Sequence, residues 1–251
     1  MSQVFFIGAG PGDPDLITVK GRDIIARADL IIYAGSLVNP AVLAVARPDA
    51  RIEDSAGMDL ARTTELLVGC VREGKVAARV HTGDPSIYGA IAEQMAELDK
   101  AGIGYSVVPG VSSAFAGAAA LKCELTLPEV SQTVILTRIE GRTPVPEKES
   151  LASLAAHGAT MVIFLSVGEM GRVVEALRAG YTDDTPVAVV YKASWPEEKI
   201  VRGTIADIAS KVESAGLAKT ALIFVGRAIA PGVMQAYSKL YDSEFRHGYR
   251  G

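Results

Sequence analysis

The sequence predicts an α/β protein made of two α/β domains, and three observations carry that prediction. Short apolar runs alternate with segments of helical period through the first half of the chain. Each of those apolar runs is closed by a turn that contains glycine. Near residues 121–131 (LKCELTLPEVS) the periodicity lapses, and a second series of runs then begins.

In order, Val4 to Ile7 reads as a strand and Gly21 to Ala28 as a helix; Leu30 to Tyr33 is a strand. Ala61 to Glu73 is a helix leading to a strand at Val76 to Val80, and a helix at Ile91 to Lys100 leads to a strand at Tyr105 to Val108. Strands joined through helices must run parallel, because a crossover returns the chain to the same edge of the sheet. In such sheets ligands bind beyond the carboxyl ends of the strands. The turns Gly8-Ala9-Gly10, Gly35-Ser36, Gly83-Asp84-Pro85 and Pro109-Gly110 are therefore expected to line one crevice.

In the second half, strands are expected at Thr133 to Leu136, Met161 to Leu165, Val187 to Tyr191, Lys199 to Val201 and Ala221 to Val225. Helices are expected at Glu147 to Ala156, Glu169 to Ala179 and Ile205 to Ser214. The link Ala193 to Glu198 is too short for a crossover, so its flanking strands form an antiparallel hairpin and the second sheet is mixed. The expected domains are 1–121 and 122–240, with a tail at 241–251.

With 251 residues, 49% of them apolar and 22% charged, the chain can bury a substantial core. A net charge of −4 argues against a nucleic-acid partner, which calls for a basic excess. Cys70 and Cys123 stand apart from each other and from any Cys/His cluster, so a disulfide framework and a protein-bound metal are not expected. The start MSQVFFIGAG lacks the basic flank of an export signal, and no apolar run approaches membrane-spanning length. A cytoplasmic protein with no membrane partner is the expectation.

The run Gly8-Ala9-Gly10-Pro11-Gly12-Asp13-Pro14 invites a dinucleotide reading and fails it. Asp13 stands where the fingerprint needs its third glycine, and Pro11 lacks the amide that a phosphate cradle uses. No G-x-x-x-x-G-K-[ST] pattern occurs either. Taken together, GAGPGDPDLITVKG, AGSLVNP, HTGDPSIYG and VPGVSS offer backbone polar groups, small hydroxyls and little bulk. That suits a ligand with an adenine, a ribose and an amino-acid end.

These blocks, with PGVSSAFA and KTALIFVG, resemble the tetrapyrrole methylase family over about residues 3 to 230. Within it, IIYAGSLVNP, DSAGMDL and LTRIEGRTPVPEKESL are similar to the branch that methylates C11 of precorrin-4 in cobalamin synthesis. The alternatives are the cobalt-containing form of that substrate, or another tetrapyrrole such as uroporphyrinogen III. The resemblance implies a class III fold of two α/β domains with the active-site cleft between them, S-adenosylmethionine (SAM) as methyl donor, S-adenosylhomocysteine as product, and a homodimer. By position it implies SAM contacts at Pro11, Gly83, Asp84, Pro85, Tyr88, Ser112, Ser113, Leu165 and Ala193.

Methylation of an electron-rich carbon needs alignment and exclusion of water more than a nucleophilic triad. Asp84 is a candidate base for the proton lost, or alternatively a turn carboxylate capping a helix that starts near Ser86; Tyr33 is the other candidate catalytic group. His81 and His157 read as structural or surface histidines, and His247 as solvated. The acidic chain must still attract the carboxylates of a tetrapyrrole. Arg138 and Arg142 are the first candidates for that, followed by Lys20 and Arg62.

Overall fold

A computed structural model describes residues 2–232 together with Ser238, Phe245, Arg246 and Gly248. Most of the expected tail, His247 included, lies outside the described residues. The chain divides into two compact units, one of Met1–Ala116 with Lys192–Pro196, the other of Gly117–Tyr191 with Glu197–Gly251.

The first unit holds five parallel strands: β1 (Val4–Gly8), β2 (Leu30–Tyr33), β3 (Arg51–Asp54), β4 (Ala77–His81) and β5 (Tyr105–Val108), in the order β3-β2-β4-β1-β5. The central strands are mostly apolar because both faces are covered, with Arg79 and His81 of β4 the buried polar exceptions. Phe5, Ile7, Ile31 and Val80 pack with Ile24 and Ile25 of α1 (Val19–Ile25). On the other face Phe6, Leu30 and Ile32 pack with Leu66 and Leu67 of α2 (Leu60–Arg72) and with Leu98 of α3 (Ile91–Lys100).

Local chemistry sets the helix starts. Thr18 accepts from the Gly21 N–H at 3.1 Å and Asp59 from the Arg62 N–H at 2.8 Å, each satisfying an amide that the first turn leaves open. Asp29 ties the sheet together from below, accepting from Arg47 at 2.7 Å and from the Val76 N–H at 2.8 Å. β3 departs from the sequence reading, which expects no strand there. Its RIED sequence is mostly exposed, and charged side chains protect an edge strand that only backbone pairing with β2 holds.

The helix α4 (Ser113–Leu121) is also absent from the sequence reading, and the division between the units falls within it, after Ala116.

The second unit holds β6 (Val134–Arg138), β7 (Thr160–Phe164), β8 (Pro186–Tyr191), β9 (Lys199–Thr204) and β10 (Ala221–Val225), in the order β6-β7-β10-β8-β9. Only β6 and β7 are parallel, so the sheet is mixed as expected, and β8 and β9 form the expected antiparallel pair, Tyr191 opposite Lys199. Its core joins Met161, Ile163, Val189 and Ile223 to α5 (Leu151–Ala155), α6 (Met170–Leu177) and α7 (Ile208–Ser214). The carbonyl of Leu121, which ends α4, accepts from Arg202 of β9 at 3.0 Å. No helix among the described residues is long and apolar enough to cross a membrane.

Candidate functional site

The parallel order of the first sheet puts the carboxyl ends of β1, β2, β4 and β5 on one edge, with their four glycine turns. The turns interlock through backbone. Gly10 and Gly83 exchange hydrogen bonds, Gly83 N–H to Gly10 O at 2.7 Å and Gly10 N–H to Gly83 O at 3.3 Å. A Cβ on Gly8 would stand 2.6 Å from both Gly110 Cα and the Gly83 carbonyl, so three chain segments meet where only glycine allows them to.

The first turn is held from further segments as well. Asn39 of AGSLVNP donates to the Gly12 carbonyl at 2.8 Å. Trp195 Nε1 donates to the Pro11 carbonyl at 2.9 Å, and the Asp13 N–H donates to Ser194 Oγ at 3.0 Å. The sequence reading passes over Asn39 and Trp195 as site residues. Their signal is position: Asn39 stands before the proline that closes AGSLVNP, and Trp195 is the one tryptophan of the chain.

These bonds also decide what the turn can hold. The amides of Gly10 and Asp13 are used within the protein, and Pro11 has none. A phosphate would find few donors here. A ligand bound by shape, aromatic contact and backbone carbonyls fits, which agrees with an adenosyl group and an amino-acid end.

Asp84 is committed to its turn. Its Oδ1 accepts from the Ser86 N–H at 2.8 Å and from the Ser86 hydroxyl, and its Oδ2 accepts from the Gly110 N–H at 2.8 Å. Burial opposes its ionisation, but these hydrogen bonds outweigh it and hold the carboxyl below its usual range. Of the two roles expected for Asp84, these bonds favour the turn carboxylate, with both oxygens already accepting from the turn.

Beyond Asp84 the loop carries backbone strain. Tyr88 and Ala90 adopt left-handed φ values of 55° and 48°, and Tyr88 is 47% exposed. Lys192 and Ser194, on either side of buried Ala193, are left-handed too, at 47° and 68°. Such strain persists only where the surroundings impose it, and it gathers at ligand sites. The Ala90 carbonyl is held by Gln94 Nε2 at 3.0 Å, and Gln94 Oε1 in turn accepts from Arg79 Nε at 3.1 Å. Arg79 is buried, bonds the Ile32 carbonyl at 3.3 Å, and has no carboxylate partner among the described residues. Burial pushes its pKa down to about 10, which still leaves it cationic at neutral pH.

Ser112 is buried and accepts from the Ala114 N–H at 3.3 Å, and Ser113 begins α4. Tyr33 packs against the α1-side core, and its carbonyl accepts from Ser55 Oγ at 3.0 Å. His81 is buried at the end of β4 and stays neutral, its pKa pushed down to about 3 by burial and then by the Arg79 charge. Lys20 is exposed, without an ion pair among the described residues, whereas Arg62 is paired with Glu65 at 2.6 Å.

In the second unit, Leu165 follows β7 with φ 55° and is 73% exposed, left-handed and exposed like Tyr88. Arg138 does not extend freely as a substrate ligand would. It donates to the Ile139, Thr143 and Pro144 carbonyls at 3.3, 3.1 and 2.9 Å, shaping the loop that carries exposed Arg142. His157 is exposed. Among the described residues no group of three or more His, Cys, Asp or Glu is placed to hold a metal ion.

Known proteins match the chain along nearly its whole length. A cobalt-precorrin-4 C(11)-methyltransferase of Methanocaldococcus jannaschii is 58% identical over 249 residues, 99% of this chain and 96% of that protein. A precorrin-4 C(11)-methyltransferase of Pseudomonas aeruginosa is 52% identical over 247 residues, 98% of each. The crystal structure of a cobalt precorrin-4 methyltransferase matches with a TM-score of 0.89 at 50% identity, covering 91% of this chain and 96% of that one. The model of the tetrapyrrole (corrin/porphyrin) methylases matches residues 3–209, and with these relatives alongside it the chain belongs to that family.

Proposed function

We propose that the protein transfers a methyl group from SAM to C11 of precorrin-4, giving precorrin-5 and S-adenosylhomocysteine in cobalamin synthesis. The observation that carries this reading is identity of 52% to 58% along almost the whole chain with proteins named for that reaction. The site geometry agrees with it, because interlocked turns with few spare phosphate donors suit an adenosyl ligand.

Pro11, Gly83, Asp84, Pro85, Tyr88, Ser112, Ser113, Ala193 and Leu165 are the residues proposed to hold SAM. When bound, SAM supplies a methyl group on a sulfonium, an electrophile that needs no further activation. The work of the chain is then to align and to exclude water. Rigid turns pre-set by their hydrogen bonds contribute through fixed orientation, an effect that can reach ~7 kcal/mol. Tyr88 offers an aromatic surface, and the small residues around it let the ligand approach backbone. Arg142 and Lys20, exposed and without ion pairs among the described residues, are proposed to meet the macrocycle's carboxylates. Arg62 and Arg138 are already engaged.

The cobalt-containing substrate is a second reading, favoured by the 58% identity to the relative named for that form. In that case the metal arrives with the substrate. The proposed setting is the cytoplasm, as a homodimer. Two free thiols agree with a reducing compartment, Cys70 being buried with its pKa pushed up to about 11 by that burial. Light scattering of the purified protein checks the dimer.

The decisive experiment is anaerobic incubation with carbon-13 methyl-labelled SAM and metal-free precorrin-4, with NMR location of the label. Label on C11 supports the reading. Label entering only cobalt-precorrin-4 selects the second, and label entering neither rejects both.

A further inference from the structure

The reaction proposed above releases a proton, and the candidate base Asp84 is poorly placed to take it, because both its oxygens accept hydrogen bonds within its turn. Asp54 is different. It ends β3 directly opposite Tyr33 of β2, on the same carboxyl edge as the glycine turns. Its Oδ1 accepts from the Gly35 N–H at 3.0 Å and from the Ala56 N–H at 2.9 Å. Its Oδ2 has no hydrogen-bond partner among the described residues, and no cation pairs with the carboxylate there.

The position of Asp54 is fixed, not incidental. A Cβ on residue 35 would overlap the Asp54 carboxyl group, so Gly35 leaves the space that the carboxylate occupies. Ser55 Oγ, next in sequence, bonds the Tyr33 carbonyl at 3.0 Å and ties the end of β3 to β2. One oxygen is therefore anchored, while the other, on an exposed residue, has no hydrogen-bond partner among the described residues.

We propose that Asp54 is the proton acceptor of the methylation, through Oδ2; the proposal rests on the methyl transfer inferred above. In that transfer the carbon–sulfur bond breaks with its electron pair left on sulfur, and the new carbon–carbon bond draws a pair from the macrocycle. The macrocycle regains neutrality by releasing one proton, which Asp54 takes up and later passes to water. Nothing is oxidised or reduced outside this exchange.

Asp54→Asn is the informative variant, because its amide oxygen still accepts from Gly35 and Ala56 while the anionic Oδ2 is lost. Wild type and variant are compared anaerobically on metal-free and cobalt-containing precorrin-4, with the SAM dissociation constant measured alongside. Removing a general base typically lowers rate by about 100-fold or more. The expected result is such a fall in kcat with SAM affinity within about twofold of wild type. A kcat within about threefold of wild type overturns the role of Asp54 alone. If wild type labels neither macrocycle, the proposed reaction fails and this inference with it. Should that variant not fold, Asp54→Ser, whose hydroxyl can still accept from the Ala56 N–H, takes its place, and a kcat within about threefold of wild type overturns the proposal.

Discussion

Trp195 donates its indole N–H to the carbonyl of Pro11, 184 positions earlier in the chain, at 2.9 Å. Both residues belong to the first unit, although Trp195 arrives on the link between two strands of the second sheet. Lys192 lies over the indole face, its Nζ 5.0 Å from the ring centroid. The short polar link that marks a hairpin in the sequence thus also pins the turn proposed to hold SAM.

Trp195→Phe keeps an aromatic ring but loses the indole N–H and that bond. It is expected to cost about 1 kcal/mol, lowering Tm by about 2–4 °C for a chain of this size, and to weaken SAM binding. Gly12→Ala is expected to do more damage, since a Cβ there would sit inside the indole ring. Thermal unfolding and calorimetric titration with SAM measure both. A Gly12→Ala protein as stable as wild type would show that the indole can leave the turn freely.

Because Trp195 is the one tryptophan, it reports on this turn without a label. SAM binding is expected to change its emission with a saturable dependence on SAM concentration. A titration that leaves the emission unchanged, while calorimetry records binding, would move the ligand away from Pro11.

Opposite signs are expected for two changes in the loop behind Tyr88. Ala90→Gly relieves a left-handed alanine and is expected to stabilise the protein by up to about 1 kcal/mol. Gln94→Leu removes the acceptor for the buried Arg79 and the donor to the Ala90 carbonyl, at an expected cost of about 1–3 kcal/mol. Gln94→Glu supplies Arg79 with a counter-charge and should lie between Leu and wild type. Urea unfolding midpoints rank the three.

The parallel core is legible in the sequence because LIIY and YSVV, bounded by turn residues, admit few alternatives to a strand. β3 is not, since RIED offers no apolar period and owes its extension to the partner strand. The helix α4 escapes for the opposite reason: SAFAGAAAL is apolar or small nearly all round and shows no polar face. At the site, residue types identify the turns, while the use of each group depends on long-range bonds. Arg138 has the look of a substrate ligand and is spent on loop carbonyls; Asp54, which no spacing singles out, keeps an oxygen free. Spacing along the chain does not carry that kind of information.

Asp84 gives the stability of the site a definite pH direction. Its carboxyl is held below the ordinary range of the unfolded chain, so it binds fewer protons folded than unfolded at mildly acidic pH. The stabilisation is therefore complete above the ordinary carboxylate pKa and is lost as pH falls through the lower folded value. Asp29 acts in the same sense, through its bond from the Val76 N–H and then its contact with Arg47. Wild-type Tm is expected to fall on acidification from about pH 5 to about pH 3. Asp84→Asn, which cannot accept from both Ser86 and Gly110 as the carboxylate does, is expected to be less stable at pH 7 by about 1 kcal/mol. Its Tm should fall less steeply with acid, because one of the linked groups is gone while Asp29 remains. Parallel curves for variant and wild type across that range would mean that Asp84 titrates alike in the folded and unfolded chain, and that its three hydrogen bonds do not favour the ionised form.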